Sequence, residues 1–142
     1  MQSVLMEKLR AWITEHNPDL LLKLQGNFSV TQYLEDKVAS VMPMVQQLLS
    51  EGKANYIIEE LCVNELTADL RPSKFDYLKT VLEEDFPDDY NRMAESGVLT
   101  YELVNLIEAC KEVFETHGFS EENEDNRFLR YAVIAEIHDY LN

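Results

Sequence analysis

Apolar residues recur along nearly the whole chain at three- and four-residue intervals, the spacing of one face of an α-helix. Leu5, Leu9, Trp12 and Ile13 form the first such stripe, over about residues 2–16. Asn17-Pro18-Asp19 then offers an N-cap, a first-turn proline and an early acid for a short helix ending at Gly26. A longer stripe follows through Val30, Tyr33, Leu34, Val38, Val41, Met42, Val45, Leu48 and Leu49, stopping at Gly52. Its start carries Ser29 and Gln32 at capping-box spacing, with Phe28 and Tyr33 placed as a hydrophobic staple. Pro43 interrupts this pattern. It has no amide N–H and its ring crowds the preceding turn, so a kink or break is expected near Ala39–Met42.

The same period continues through Ile57, Ile58, Leu61, Cys62 and Leu66. Ser73 caps a helix bearing Phe75, Leu78, Val81, Leu82 and Phe86, which Pro87 ends. Asp88 and Asp89 open a short segment to Gly97. Thr100 caps a helix through Leu103, Leu106, Ile107, Cys110, Val113 and Phe114, closed by Gly118, and Phe119 is placed to pack against that C-terminus. The last helix begins within residues 121–126 and runs to Leu141. No stretch alternates apolar and polar residues for long, and no Asn-Gly or Asp-Gly hairpin turn occurs. These signals predict an all-α fold: a compact multihelical single domain over residues 1–142, with six to eight helices and sequential helices packed as antiparallel neighbours.

Ser73-Lys74-Phe75-Asp76-Tyr77-Leu78, followed by Glu84-Asp85-Phe86, resembles a stretch found in a family of small multihelical proteins of unknown function from Bacteroidetes bacteria. That family has a similar Ser-Lys-aromatic-Asp-x-Leu run with an acid and a phenylalanine about a turn and a half later. The segment Ala54–Leu70 and the His16-Asn17-Pro18 helix end also fit its layout, whereas Pro72 stands where an aromatic is usual. The resemblance implies a multihelical fold and cytoplasmic life. It implies no activity and no functional residues.

Charge changes the picture more than composition does. The 142 residues carry a net charge of −15. Residues 1–80 hold 8 Lys/Arg against 11 Asp/Glu, or −3, while residues 81–142 hold 4 against 16, or −12. Such a field repels phosphate backbones and anionic membrane surfaces and attracts a basic protein partner. Direct nucleic-acid binding is therefore not expected. No apolar run approaches the ~18 residues of a membrane span. The first residues, with Glu7 and Lys8 inside an apolar stripe, read as helix rather than signal peptide, so the expected location is the cytoplasm. The Asn27-Phe28-Ser29 sequon then has no glycosylation to serve. Cys62 and Cys110 each sit in a helical stripe, where thiols act as small buried hydrophobes; a single bridge in an exported protein is the other reading.

Catalytic and cofactor chemistry find little purchase. His16 and His117 stand at helix C-termini, where imidazole caps carbonyls, and His138 lies in the chain's last turn. No His pair at i,i+4 spacing, no Glu-x-x-His pair and no glycine-rich phosphate loop occurs, so no metal or cofactor is expected. Trp12 reads as a core anchor or, alternatively, as an interface residue. The local conflict is the acidic run of Glu83, Glu84, Asp85, Asp88 and Asp89. Asp88 and Asp89 begin a helix and suit its positive end. Glu83, Glu84 and Asp85 close one, where each negative charge costs about 0.3–1 kcal/mol. Either the run is a solvated helix end or it is a contact site for a basic partner. The functional expectation is a protein-binding or adaptor module whose acidic C-terminal part faces a basic partner. The alternative is an acid–base or metal-dependent enzyme whose carboxylates converge only in the fold.

Overall fold

The computed structural model describes residues 1–26 and 29–142. It is all-α: among the described residues every regular element is a helix. In chain order these are α1 (Gln2–His16), α2 (Pro18–Gly26), α3 (Val30–Ser50), α4 (Asn55–Leu66), a 3-10 turn (Ala68–Leu70), α5 (Lys74–Asp85), α6 (Pro87–Ser96), α7 (Leu99–Ala109), α8 (Lys111–His117) and α9 (Arg127–Leu141). They gather into two compact units, Met1–Arg71 and Pro72–Asn142.

In Met1–Arg71, α1, α3 and α4 pack on one another and α2 lies against α1 and α3. Their shared core holds Leu5, Leu9 and Ile13 from α1, Leu34, Val38 and Val45 from α3, and Ile58, Cys62 and Leu66 from α4. The stripes read from the sequence supply this buried face, but Leu49 and Leu61, which they also include, are exposed. Trp12 is only partly buried at the edge of this core, with its ring 4.8 Å from the His16 imidazole.

Pro43 neither ends nor divides α3, which is a single helix from Val30 to Ser50. Of the expected kink or break, the break is absent, and exposure supplies the reason. Pro43 and Ala39 both face solvent, so the Ala39 carbonyl that loses its donor meets water instead of a dry core. The helix start differs too. Ser29 is the N-cap, but its side chain makes no capping hydrogen bond, and the Gln32 amide instead donates to Asp36 at 2.8 Å. The Phe28 half of the expected staple lies outside the described residues.

In Pro72–Asn142, α5, α7 and α9 pack mutually, α6 lies on α5 and α7, and α8 lies on α7 and α9. Leu78, Val81 and Leu82 meet Leu103, Leu106, Phe114, Leu129, Val133 and Ile137 in the core. Ser73 caps α5 as the sequence predicts, accepting the Asp76 amide at 3.0 Å. Gly97 and Gly118 adopt left-handed φ values of 77° and 60°. At Gly118 the Phe119 amide returns to the Phe114 carbonyl at 3.0 Å, while the two rings meet 4.9 Å apart. This is the C-terminal contact expected from the placement of Phe119.

Nine α-helices stand among the described residues, against the six to eight expected. The extra one arises at Cys110, which ends α7 and begins α8 with φ −93° and ψ 5°. No glycine or proline marks the spot. Cys110 is fully buried, and packing sets the bend. α7 itself begins at Leu99, with Val98 as N-cap, so Thr100 lies inside it rather than capping it. No helix among the described residues is long and apolar enough to cross a membrane.

Both cysteines are free and 0% exposed. Burial pushes the Cys62 thiol up, and burial, then the nearby Glu136, pushes Cys110 to about 12. Native protein at about pH 8 should therefore alkylate slowly at both thiols and rapidly once unfolded. For Cys110 the folded value lies above the ordinary ~8.5, so its contribution to stability is complete below that pH and is lost as pH climbs toward 12. Cys110→Ala should flatten the alkaline decline by one proton, measured by urea titration at several pH values. An unchanged slope would contradict the assignment.

Candidate functional site

The acidic run straddles a junction between two helices. Glu83, Glu84 and Asp85 form the last turn of α5, Phe86 is the junction, and Pro87 starts α6. Asp88 and Asp89 lie in the first turn of α6, the end that favours negative charge. All five expected residues are thus brought together. Glu83, Glu84, Asp85 and Asp88 are exposed, and Asp89 is half-buried.

What the sequence conceals is the counter-charge. Arg130, in the second turn of α9, places one guanidinium nitrogen 2.7 Å from Glu84 and 2.6 Å from Asp85. Arg92 reaches Asp89 at 2.8 Å from the next turn of α6. The unfavourable end of α5 is therefore compensated at two of its three acids. Glu83 and Asp88 have no ion pair among the described residues. Arg130 is 45 positions from Asp85, so no local pattern could have announced the pairing.

These contacts separate charges that look alike in sequence. Arg130→Met should destabilise Pro72–Asn142 by on the order of 1 kcal/mol, a modest figure because the guanidinium is one-third exposed. Glu83→Gln should stabilise by a few tenths of a kcal/mol, through relief of the helix end alone. Glu84→Gln should gain nothing, since relief and the lost ion pair offset each other. Urea denaturation of the three variants checks the order. A stabilising Arg130→Met would show that the pairing contributes nothing.

Two hollows flank this region. The first, about 350 Å³, is lined by Pro72, Ser73, Asp76, Tyr77, Thr80, Val81, Glu124, Asp125 and Arg130. Tyr77 stands on its wall with its ring edge-on to Phe114 and Phe119. Its hydroxyl is shielded from solvent without a hydrogen-bond partner among the described residues. Burial pushes that phenol above the ordinary tyrosine range, while the Arg130 charge opposes the shift. It therefore stays protonated at neutral pH and can donate a hydrogen bond, but it is no base.

Asn123 shapes the rim of this hollow. Its side-chain amide donates to the carbonyls of His117 and Gly118, and its oxygen accepts from the Ser120 amide at 2.7 Å. The turn leading to Glu124 and Asp125 is thereby tied to the end of α8. Asn126 then caps α9, accepting from Phe128 and Leu129 at 2.8 and 3.1 Å. Turn-forming asparagines are the one sequence signal that could have pointed here.

The second hollow is a groove of about 620 Å³ lined by Asp85, Phe86, Tyr131, Ile134, Ala135, His138 and Asp139. It runs between the end of α5 and the outer face of α9. Phe128 and Tyr131, 60% and 61% exposed, stand three residues apart on α9. They lie off the buried face of the helix, which is Leu129, Val133 and Ile137.

The histidines are dispersed, His16 and His117 closing helices and His138 facing solvent. Among the described residues no three or more His, Cys, Asp or Glu side chains converge in a way that could hold a metal ion. No family model, no curated protein and no solved structure matches this chain.

Proposed function

We propose that the chain is a cytoplasmic protein-binding or adaptor module whose second half docks the basic surface of a partner protein. The observation that carries this is the excess of carboxylates on Pro72–Asn142, where 17 Asp/Glu meet 6 Lys/Arg for a net −11. Arg92 and Arg130 form ion pairs with Glu84, Asp85 and Asp89. Glu108, Glu112, Glu115, Glu121 and Glu122 all face solvent. Carboxylates in this number raise encounter rates with cations and exclude anionic partners more than they add affinity.

Affinity capture from native lysate with the full chain tests the idea, beside a variant carrying Glu112→Gln, Glu115→Gln, Glu121→Gln and Glu122→Gln. Captured proteins should be basic, should elute with salt, and should be depleted on the variant. Partners that are acidic, salt-insensitive and equally retained by the variant would refute it.

The first hollow offers a foothold for the alternative, an acid–base enzyme, because Asp76, Glu124 and Asp125 share it with Tyr77 and Arg130. Thermal shift against small cationic metabolites, compared between the native chain and Asp125→Asn, would reveal such a ligand.

A further inference from the structure

We infer that the groove along α9 is where the partner docks, and that its occupant is a basic amphipathic segment: apolar side chains on one face, flanked by Lys or Arg. This rests on the protein-binding reading above and adds the place and the chemistry.

The groove has an apolar floor and an acidic rim. Phe86, Ile134 and Ala135 supply the floor, and Tyr131 supplies an aromatic wall. Asp85 and Asp139 supply carboxylates on its two sides, one from the end of α5 and one from α9. Counting Glu84, which shares Arg130 with Asp85, three acids surround one arginine, so the local balance is −2. The Asp139 side chain is 84% exposed, with the His138 imidazole 3.9 Å from its Oδ1 and the rest of the carboxylate facing solvent. A cation arriving from outside meets that carboxylate at little desolvation cost.

The aromatics beside the groove are exposed. Phe128, Tyr131, Ala135 and His138 follow at intervals of three, four and three residues, and all four are exposed, so α9 carries an outward stripe besides its buried one. Large rings in water are the residues enriched at protein interfaces, where they bury area at low entropic cost. Their faces also attract cations, as the Arg127 guanidinium 5.2 Å from the Phe128 ring centre already shows within α9 itself. Tyr131 to Asp139 spans about 12 Å of helix at 1.5 Å per residue, enough to seat about two turns of a partner helix.

The occupant follows from these features together. A purely cationic segment would leave the floor of Phe86, Ile134 and Ala135 unfilled. A purely apolar one would bury Asp85 and Asp139 without partners, which costs more than the floor returns. A second copy of this chain would bring the same carboxylates against themselves.

Fluorescence anisotropy with the full chain tests the proposal using three synthetic probes: a Leu/Lys peptide with leucines at helical spacing, its Leu/Glu counterpart, and an oligolysine of equal charge. At about 150 mM salt the Leu/Lys peptide should bind at least about tenfold tighter than oligolysine, and the Leu/Glu peptide should not bind. Tyr131→Ser and Ala135→Arg, at exposed positions, should each weaken the Leu/Lys peptide about tenfold, with circular dichroism and melting temperature unchanged. Tyr131→Ser should leave oligolysine binding as it was. Leu/Lys binding that survives both variants would overturn the groove, while the protein-binding reading would stand on the oligolysine result. Equal binding of the Leu/Glu peptide would overturn the basic occupant. A dimer in sedimentation that Ala135→Arg dissolves would put a second copy in the groove, against the proposal. If no cationic probe bound even at low salt, the protein-binding reading itself would fall.

Discussion

Phe114→Ala should lower the stability of Pro72–Asn142 by about 3–5 kcal/mol, enough to threaten folding of the unit. The side chain is 2% exposed and sits where several contacts meet. Its ring lies 5.9 Å from Tyr77 and 4.9 Å from Phe119, with the Lys74 ammonium 5.5 Å from its centre. Removing it leaves a cavity and also strips the apolar contact from the C-terminal cap at Gly118, whose φ of 60° only glycine adopts cheaply. The matched control is Phe128→Ala. That ring is 60% exposed, so its loss should change stability by no more than about 0.5 kcal/mol while weakening the groove. Chemical denaturation of the two variants side by side makes the comparison. Equal losses would mean that Phe114 is not the keystone that its burial implies.

Pro43→Ala should work in the opposite direction. Within a helix a proline costs about 3 kcal/mol relative to alanine, and the looser unfolded chain of the alanine variant returns roughly 0.4–1 kcal/mol of that. A net stabilisation of about 2 kcal/mol is expected for α3, together with a higher melting temperature. Position 43 faces solvent, so no core side chain must move and the restored bond to Ala39 is the main change. Stabilisation would show that the native chain tolerates a proline whose cost water partly relieves. A loss of stability would mean that α3 has a geometry at Pro43 that alanine cannot share.

The contrast between these residues shows what the sequence discloses. Helix faces were legible because burial follows the 3.6-residue period, as Leu5, Leu9 and Ile13 illustrate. Chemically marked ends were legible as well: Ser73, Gly97 and Gly118 do what their side chains, or lack of one, allow. At Pro43 spacing left a kink and a break open, because local sterics say nothing about which face of the helix meets water. The bend at Cys110 has no local marker either, since a small thiol neither breaks nor caps a helix. In the candidate site, the five acids could be named from spacing alone. Their partner Arg130 could not, because the contact is made across packed helices 45 residues apart in sequence. Nor could spacing separate the outward stripe of Phe128 and Tyr131 from the buried one beside it, since α9 is apolar on both.

The two hydrophobic cores draw on consecutive halves of the chain. Every buried residue of the first cluster lies between Leu5 and Leu66, and every one of the second between Phe75 and Ile137. During synthesis at roughly 5–20 residues per second, the first half therefore has everything its core requires before the acidic half has left the ribosome. Its apolar stripes need not wait, exposed, for the second half of the sequence to arrive, although α1 must wait for α4, about 40 residues on, before the core closes.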